Sequence, residues 1–315
     1  MINDFLFAVH ITAPIFFIIG FGIFFKRLGW ITDEFARIGS DLVFKVTLPC
    51  LLFVKLVDTD FENGIPVLLI TYALIATTIV FLLLDNVICK SIASGADRGA
   101  FVQGTFRGNM GIIGLAYCLS AFGESVITIA SIYLAIMTTL YNVLSIITLS
   151  RHQQQENTPN MGAYVIKSVA KNPLIIAIAA GVSVALIKMP VPEILLSTGE
   201  YFAGMTLPLA LLCAGASIRL KEFQSSPLLY WATCGKLFFV PLIVTGGGIA
   251  IGLRGESLGV LFLMSASPTA AASYPMAQAL GANYHLAAAI IAATSLASIC
   301  SSTLGIFLLR VFDLI

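Results

Sequence analysis

The residues best suited to chemistry lie where an apolar stretch is interrupted, at residues 106–114 (FRGNMGIIG). A stretch of membrane length should be unbroken Leu, Ile, Val and Phe, yet this one holds three glycines, the amide of Asn109 and the guanidinium of Arg107. Polar backbone cannot face lipid, so such a break must be buried in protein or line a cavity. The pattern therefore predicts a binding site for a polar ligand inside a membrane protein.

A second interruption occurs at residues 267–275 (SPTAAASYP), where two prolines remove backbone donors. Each break divides a helix into two half-helices. Half-helix N-termini carry unsatisfied N–H groups and partial positive charge, which suit a carboxylate or phosphate, and half-helix C-termini carry carbonyls that suit a cation or proton donor. Two broken helices in corresponding halves of a membrane protein indicate a transporter's binding site. A small organic anion is the substrate class that this geometry favours.

Ten residues in and around the breaks are candidates for binding the substrate. They are Asn109, Gly111, Gly114, Pro268, Thr269, Ser273, Tyr274, Tyr141, Asn142 and Gln278. The Asn109 amide either contacts the substrate or satisfies backbone groups that the break frees. The glycines permit unwound backbone and a close approach of the other broken helix. The hydroxyls of the second break either contact the ligand or bond to their own backbone.

Six further residues are candidates for support or gating: Arg107, Asp41, Lys45, Pro49, Pro208 and Pro275. Arg107 either holds a second negative charge of the anion or lies at the cytoplasmic mouth in a supporting role. We favour the latter, because a charge is costly at membrane depth. Asp41 and Lys45 stand four residues apart on one helix face, as a proton relay, a gate or an interfacial anchor. Lys236, deep in the eighth apolar segment, is assigned no role.

The composition is that of a polytopic membrane protein, since 58% of the 315 residues are hydrophobic and only 10% are charged. Soluble domains average about 25% charged residues. A net charge of +1, without a long basic run, gives no indication of a nucleic-acid partner. No catalytic motif is present, the six cysteines stand singly and the three histidines are scattered, so we expect neither an enzyme nor a metal or other cofactor.

Ten apolar segments are predicted, at about 20 residues per membrane crossing. They run approximately over 4–25, 35–56, 65–89, 98–122, 125–149, 166–187, 193–218, 226–252, 256–280 and 284–311. The N-terminus has no positively charged region ahead of the first segment, which is therefore expected to remain as a membrane helix. A polar stretch divides the chain into a first repeat (1–150), a linker (151–165) and a second repeat (166–315).

The charges of the connections predict the orientation of the chain. With the N-terminus outside, the cytoplasmic connections hold ten Lys and Arg residues, whereas the outer connections and the C-terminus hold four. Both termini are therefore expected outside, with the central linker in the cytoplasm.

The two halves show the signs of an internal repeat. A shift of 159 positions aligns Pro14 with Pro173 and residues 47–49 (TLP) with residues 206–208 (TLP), and it superposes the two breaks without a gap. Because each half carries five crossings, the second half must enter the membrane from the opposite side. The predicted fold is all-α, with ten transmembrane helices in two inverted five-helix repeats whose broken fourth and ninth helices cross near the midplane.

The chain resembles the auxin efflux carrier family, the PIN-like transporters and their bacterial relatives, over nearly its whole length. The resemblance rests on TLPCLLF at 47–53, on FRGN at 106–109 followed by Gly114-Leu115, and on SPTA at 267–270 with Ala277 and Gly281. Plant auxin transporters have a proline after the helix-four glycine break, where this chain has Leu115-Ala116, and they often carry a long central loop. The compact chain therefore looks like a bacterial member.

The resemblance implies a bile-acid-symporter-like fold, in which a mobile crossover domain moves against a scaffold in an elevator-type motion. It also implies transport of small carboxylates, such as indole-acetate in plants or malonate- and malate-like acids in bacteria. The family's crossover asparagine matches Asn109, its helix-nine proline matches Pro268 and its helix-five tyrosine matches Tyr141.

Residues and resemblance together predict a secondary transporter of a bacterial inner membrane that moves a small organic anion by alternating access. The resemblance implies that helices 3–5 and 8–10 form the mobile unit, which moves against helices 1, 2, 6 and 7. The coupling ion is H⁺ or Na⁺, so a sodium-coupled symporter is one alternative. A membrane-embedded receptor or sensor, which binds the anion without moving it, is the alternative from another class. The expected surroundings are membrane lipid, and a homodimer is an open alternative for the assembly.

Overall fold

The structure, a computed structural model, describes residues 2–57, 66–152, 171–218 and 226–315. The regular structure of these ranges is helical, without a β-strand. Their α-helices are α1 (Ile2–Arg27), α2 (Asp33–Leu42), α3 (Leu48–Val57), α4 (Val67–Asn86), α5 (Gly95–Phe106), α6 (Leu115–Phe122), α7 (Ile127–Arg151), α8 (Pro173–Leu186), α9 (Glu193–Ala216), α10 (Pro227–Cys234), α11 (Val240–Ala250), α12 (Gly255–Ala266), α13 (Ser273–Ala279) and α14 (Tyr284–Val311).

In the described part of the chain, three π-helical turns lie directly before an α-helix and run on into it. Val43–Thr47 joins α2 to α3, Met110–Gly114 leads into α6, and Gly235–Phe239 joins α10 to α11. A π-turn inserts an extra residue into the helical ladder and is frequent at functional sites. The first precedes Pro49, and the other two contain residues that meet at the site described below.

The predicted apolar segments coincide, wherever the structure describes them, with a helix or with two helices joined by a turn or a break. Within the described ranges, six stretches are long and apolar enough to cross a membrane: Ile2–Arg27, Val67–Ser91, Met110–Arg151, Glu193–Ala216, Pro227–Ala250 and Tyr284–Val311. The helices α8 and α12 are apolar but shorter. Most of the predicted linker, from residue 153 onward, lies outside the described residues. An all-helical chain with several membrane-length helices is a polytopic membrane protein.

The outer surface of the helices is apolar, as lipid requires. Phe17, Phe24, Ile75 and Leu242 are all more than half exposed, although each lies in a long apolar helix. Large contiguous apolar surfaces of this kind are rare on soluble proteins. The exposed apolar faces are therefore those that hydrocarbon would cover.

The helices pack in two groups. In the first group, α9 packs on α1, α2 and α3, and α3 packs on α8. In the second, α5 packs on α7, α10 and α14, while α12 packs on α11 and α13 on α14. The groups touch where α1 contacts α6 and α14, and where α3 and α8 contact α7.

Two glycines bring α1 and α9 closer together than other side chains would allow. A Cβ on Gly22 would collide with the Leu212 carbonyl oxygen, and a Cβ on Gly215 would collide with the Ile19 carbonyl oxygen. Small residues at helix contacts in lipid let the backbones gain van der Waals contact. The first group is therefore held together by close backbone packing.

A buried carboxylate fixes the end of α7. The Asp85 carboxylate, at the end of α4, accepts hydrogen bonds from Thr148 Oγ1 at 2.6 Å and from the Arg151 guanidinium at 2.8 Å. His152 Nε2 lies 2.8 Å from the same carboxylate. A buried charge is stable only when it is paired and hydrogen-bonded. The cluster therefore holds α7 in place against α4.

Replacing Asp85 by Ala is expected to lower the thermal unfolding midpoint, Tm, of the purified protein by about 6 °C, because breaking a buried ion pair costs about 3 kcal/mol. Thermal unfolding in detergent measures the shift. Lys90→Ala, on an exposed residue of the neighbouring turn, is the matched control and should change Tm by no more than about 1 °C. An Asp85→Ala protein as stable as the wild type would contradict the assigned role.

Candidate functional site

The first helix break is centred on Asn109. α5 ends just before Arg107, whose backbone is extended at φ −81° and ψ 109°. The Asn109 carbonyl then accepts the first bonds of the following turn, from the N–H groups of Ile113 and Gly114 at 3.1 and 3.0 Å. The N–H groups that precede these bonds have no acceptor within the helix. The break therefore presents backbone donors at the start of the second half-helix.

The second break follows from Pro268. The helix α12 ends at Ala266, and Ser267 takes φ −57° and ψ 142°, the extended conformation that a residue before proline favours. Pro268 has no N–H group with which to continue the helix. Helix α13 begins again only at Ser273. Both breaks predicted from the sequence are thus present in the structure.

The two breaks pair with each other through their backbones. Gly108 and Thr269 form an antiparallel bridge. On one side of the bridge, the Asn109 N–H donates to the Pro268 carbonyl at 2.7 Å. On the other side, the Ala270 N–H donates to the Arg107 carbonyl at 3.2 Å. We call this paired region, residues 107–109 and 268–270, the crossing. Its backbone groups satisfy one another, which is what a helix break inside a membrane needs.

The hydroxyls of Thr269 and Ser273, in the second break, are directed into protein. Thr269 Oγ1 donates to the Gly104 carbonyl at 2.6 Å, and the Thr269 N–H donates to Thr294 Oγ1 at 3.1 Å. Ser273 is fully buried, and its Oγ has no hydrogen-bond partner in the described part of the chain. Thr269 therefore ties the second break to α5 and α14, and its hydroxyl bonds to the backbone of another helix rather than to its own.

A cavity of about 690 Å³ borders the crossing. The residues predicted from the sequence that line it are Asp41, Arg107, Asn109, Gly111, Tyr141, Tyr274 and Pro275. Its other end is lined by Asp33, Glu34 and Arg37 at the start of α2 and by Ser217 after α9. A concave site of this size, mostly apolar with a few convergent polar groups, is typical for a small-molecule ligand.

The remaining binding candidates lie outside the cavity wall. Pro268 belongs to the crossing, and Gly114 packs against Met264, whose Sδ would lie 2.9 Å from a Cβ at this glycine. Gln278 is exposed on α13. Asn142 is one helical position beyond the cavity wall and contacts Arg107 instead. The structure therefore groups the candidates into a cavity wall and a layer behind it.

The support candidates are distributed along two helices. The Asp41 carboxylate and the Lys45 ammonium are paired at 2.9 Å, with both side chains more than half exposed. Pro49 lies in α3 directly after the first π-turn, whereas Pro208 lies inside the continuous helix α9. The ion pair predicted from the spacing of Asp41 and Lys45 is therefore present at the rim of the cavity, where Asp41 contributes to the wall.

Arg107 lies at the crossing rather than at an exposed mouth, and only 6% of its surface is exposed. Its guanidinium donates to Asn142 Oδ1 at 2.7 Å, to Ser145 Oγ at 3.0 Å and to Met276 Sδ at 2.9 Å. All three acceptors are neutral. No carboxylate among the described residues lies within ion-pair distance of it. A buried positive charge without a counter-charge therefore faces the cavity.

Asn109 and Tyr141 reach the cavity from different helices. The Asn109 side-chain amide makes no hydrogen bond within the described ranges, although its backbone N–H and carbonyl are both engaged. Tyr141 packs edge-on against Phe106, with ring centroids 5.5 Å apart at an interplanar angle of 80°. The ring of Tyr141 is therefore fixed in orientation, and the amide of Asn109 is available to a ligand.

Two residues of the site went unassigned in the sequence. Ser145 binds Arg107, and its position four residues after Tyr141 on the same helix face was the available signal. Lys236 is completely buried beside the crossing, where its Nζ donates to the Ser265 carbonyl at 2.9 Å. The sequence shows Lys236 as a single charge in an apolar segment, but the neighbouring residues of α10 and α11 do not indicate which groups it contacts.

The long apolar helices, the paired breaks and the cavity beside them are the features of a membrane transporter. A family described as "Membrane transport protein" matches residues 7–306. The chain therefore belongs to this family, the auxin efflux carrier family, and is an integral membrane protein; the resemblance noted in the sequence is confirmed. An "uncharacterized transporter" of Methanocaldococcus jannaschii is 23% identical over 287 residues, which cover 87% of this chain and 88% of that protein.

Proposed function

We propose that this transporter moves a small organic anion by alternating access and binds it at the crossing. The observation that carries the proposal is Arg107, a buried positive charge that faces the cavity and whose acceptors among the described residues are all neutral. An ionisable group at membrane depth marks a ligand path by default and needs a counter-charge. A bound carboxylate supplies one through charge-assisted hydrogen bonds.

The neighbouring groups complete a site for a carboxylate. The Asn109 amide and the Tyr141 and Tyr274 hydroxyls are donors in the wall, and the backbone of Gly111 lies at the start of the second half-helix. Half-helix N-termini favour negative charge. A malonate- or malate-like acid, or an auxin-like acid, has the charge and size for this wall. Asn142 and Ser145 would position the guanidinium rather than bind the anion.

The proposed architecture is a bile-acid-symporter-like fold of ten transmembrane helices in two inverted repeats, 1–150 and 166–315, joined by a linker over 151–165. It is supported by the two breaks, which are equivalent under the 159-residue shift and pair in antiparallel fashion. We assign the scaffold to predicted transmembrane segments 1, 2, 6 and 7 and the mobile unit to segments 3–5 and 8–10. The division of the helices into two packing groups supports this assignment.

We place both termini outside a bacterial inner membrane and the linker in the cytoplasm. The choice of the cytoplasmic side rests on the Lys and Arg residues of the connections. Two contacts support the grouping of the connections, because each joins connections that are expected on the same side of the membrane. Asn283 Nδ2 donates to the Asp97 carboxylate at 2.7 Å on the cytoplasmic side, and Ser125 Oγ donates to the Glu256 carboxylate at 2.7 Å on the outer side. The charged end of the cavity, near Arg37, is then the cytoplasmic end, and the state is inward-facing.

Alternating access requires the opposite side to be closed in this state. On that side, Thr12 and Thr303 hydroxyls are 2.8 Å apart between α1 and α14, and the Lys55 ammonium lies 2.7 Å from the Glu124 carboxylate. These contacts join the scaffold to the mobile unit. They would have to separate before the anion could leave to the outside.

The proposal leaves H⁺ and Na⁺ as coupling ions, since carbonyls at the end of α12 suit either a cation or a proton donor. A receptor that binds the anion without moving it would share the site. Uptake of labelled acid into proteoliposomes distinguishes the two, because a receptor gives none. Chemical cross-linking in the same membranes tests for a homodimer.

Thermal-shift screening of purified protein against mono- and dicarboxylates is the experiment that tests the site. A true substrate should raise Tm in proportion to its occupancy. Replacing Asn109 by Ala should lower the affinity for the best acid by about tenfold or more, because a hydrogen bond to a charged group contributes about 1.5–3 kcal/mol.

Asn86→Ala is the matched control, since Asn86 is only partly buried at the end of α4, bonds to Arg151 and lies outside the cavity wall. It should keep the wild-type affinity. Unchanged affinity in Asn109→Ala would remove Asn109 from the site. No shift with any acid, together with no uptake, would overturn the proposed function.

A further inference from the structure

Lys236 is an ammonium group buried completely inside the protein. It lies in the π-helical turn Gly235–Phe239, within the otherwise apolar stretch Pro227–Ala250. A charged side chain at this depth is costly and is retained where it has a function. No described carboxylate pairs with it.

The ammonium is held among oxygen atoms of the second break. Nζ donates to the Ser265 carbonyl at 2.9 Å. A Cβ placed on Gly108 would lie 3.1 Å from this Nζ, 2.6 Å from Ser267 Oγ and 3.2 Å from the Met264 carbonyl oxygen. These oxygens and the ammonium therefore surround one small space over the crossing. Two of the oxygens are backbone carbonyls from the last turn of α12.

Carbonyls at a helix C-terminus carry partial negative charge and lack intrahelical donors. In carriers with broken helices such carbonyls coordinate Na⁺. Here Lys236 Nζ donates to one such carbonyl, that of Ser265. The paired backbones of Gly108 and Thr269 lie directly beside this ammonium.

We propose that Lys236 is a tethered cation, which fills the place at the end of α12 where a sodium-coupled carrier would bind Na⁺. The crossing is then assembled without Na⁺, and Na⁺ binds there only when the side chain is removed. This inference rests on the proposed transport function and adds to it the source of the positive charge at the end of α12. Its test uses no organic anion, so its failure and the failure of the proposed function are distinguishable.

The test compares Tm of purified protein in NaCl and in choline chloride of equal ionic strength. The wild type should have the same Tm in both salts. Lys236→Ala removes the charge and opens the space, so it should be less stable in choline chloride and regain about 3 °C or more in NaCl. Lys236→Met removes the charge but keeps the space filled, so it should be destabilised equally in both salts.

Two results would overturn the proposal. One is a Na⁺-selective rise of Tm in the wild type, since the lysine would then not occupy the cation's place. The other is an equal Tm of Lys236→Ala in both salts. If that variant is too unstable in choline chloride for a Tm, its yield of monodisperse protein in the two salts replaces it, and equal yields overturn the proposal.

Discussion

Replacing Arg107 by Met is expected to lower the affinity for the transported anion by about a hundredfold or more. The substitution keeps an unbranched side chain of similar reach and removes the positive charge that faces the cavity. Losing one partner of a buried, hydrogen-bonded charge pair costs about 3 kcal/mol or more, which corresponds to about two orders of magnitude in Kd. Titration calorimetry with the acid found by thermal-shift screening measures the change.

The control for this experiment is Arg254→Met, because Arg254 bonds to backbone carbonyls at the other end of the protein and lies outside the cavity wall. It should keep the wild-type affinity. Asn142→Ala and Ser145→Ala each remove one neutral acceptor that holds the Arg107 guanidinium in place. Each should weaken binding of the acid by about tenfold, because the guanidinium is then less well positioned. An Arg107→Met protein that binds the acid normally would contradict the assignment of the counter-charge.

Replacing Gly108 by Ala is expected to abolish transport and to lower Tm by several degrees. A Cβ at this position would lie 2.6 Å from Ser267 Oγ, 3.1 Å from Lys236 Nζ and 3.2 Å from the Met264 carbonyl oxygen. Ser267 Oγ cannot move freely, since it donates to that same carbonyl at 2.7 Å. Overpacking of this kind costs about 1–3 kcal/mol, and here it also separates the paired backbones of the crossing.

The matched control is Gly246→Ala in α11, where a Cβ would have no atom within 4 Å. That substitution should leave both uptake and Tm unchanged or slightly raise Tm, because Ala is the better helix former. Uptake into proteoliposomes and thermal unfolding are measured on both variants. Wild-type uptake by Gly108→Ala would show that the close approach at the crossing is not required for transport.

Much of the fold was predictable because its causes are local in the chain. The apolar composition indicated a membrane protein, and the helices begin and end near the predicted segment limits. The second break follows from Pro268, which has no N–H group, and the first follows from glycines and an amide in place of apolar residues. The spacing of Asp41 and Lys45 predicted an ion pair that the structure contains.

The environment of each polar side chain was not predictable in the same way. Thr269 could have faced a ligand, but its hydroxyl bonds to Gly104, which is 165 residues away in the chain. Gln278 is one turn beyond the second break, yet it is exposed away from the cavity. Periodicity shows which residues share a helix face, but it does not show which helix covers that face.

The sequence by itself therefore determined that this is a helical membrane protein with two breaks, and that these breaks are the place to look for a site. Only the tertiary structure decided that the breaks pair at Gly108 and Thr269 and that Lys236 lies beside them. It also decided that Arg107 is buried without a counter-charge from the part of the chain that the structure describes. The physical reason is that a missing N–H or an apolar run acts within a few residues. Burial and charge balance, by contrast, depend on the helices that pack together from distant parts of the chain.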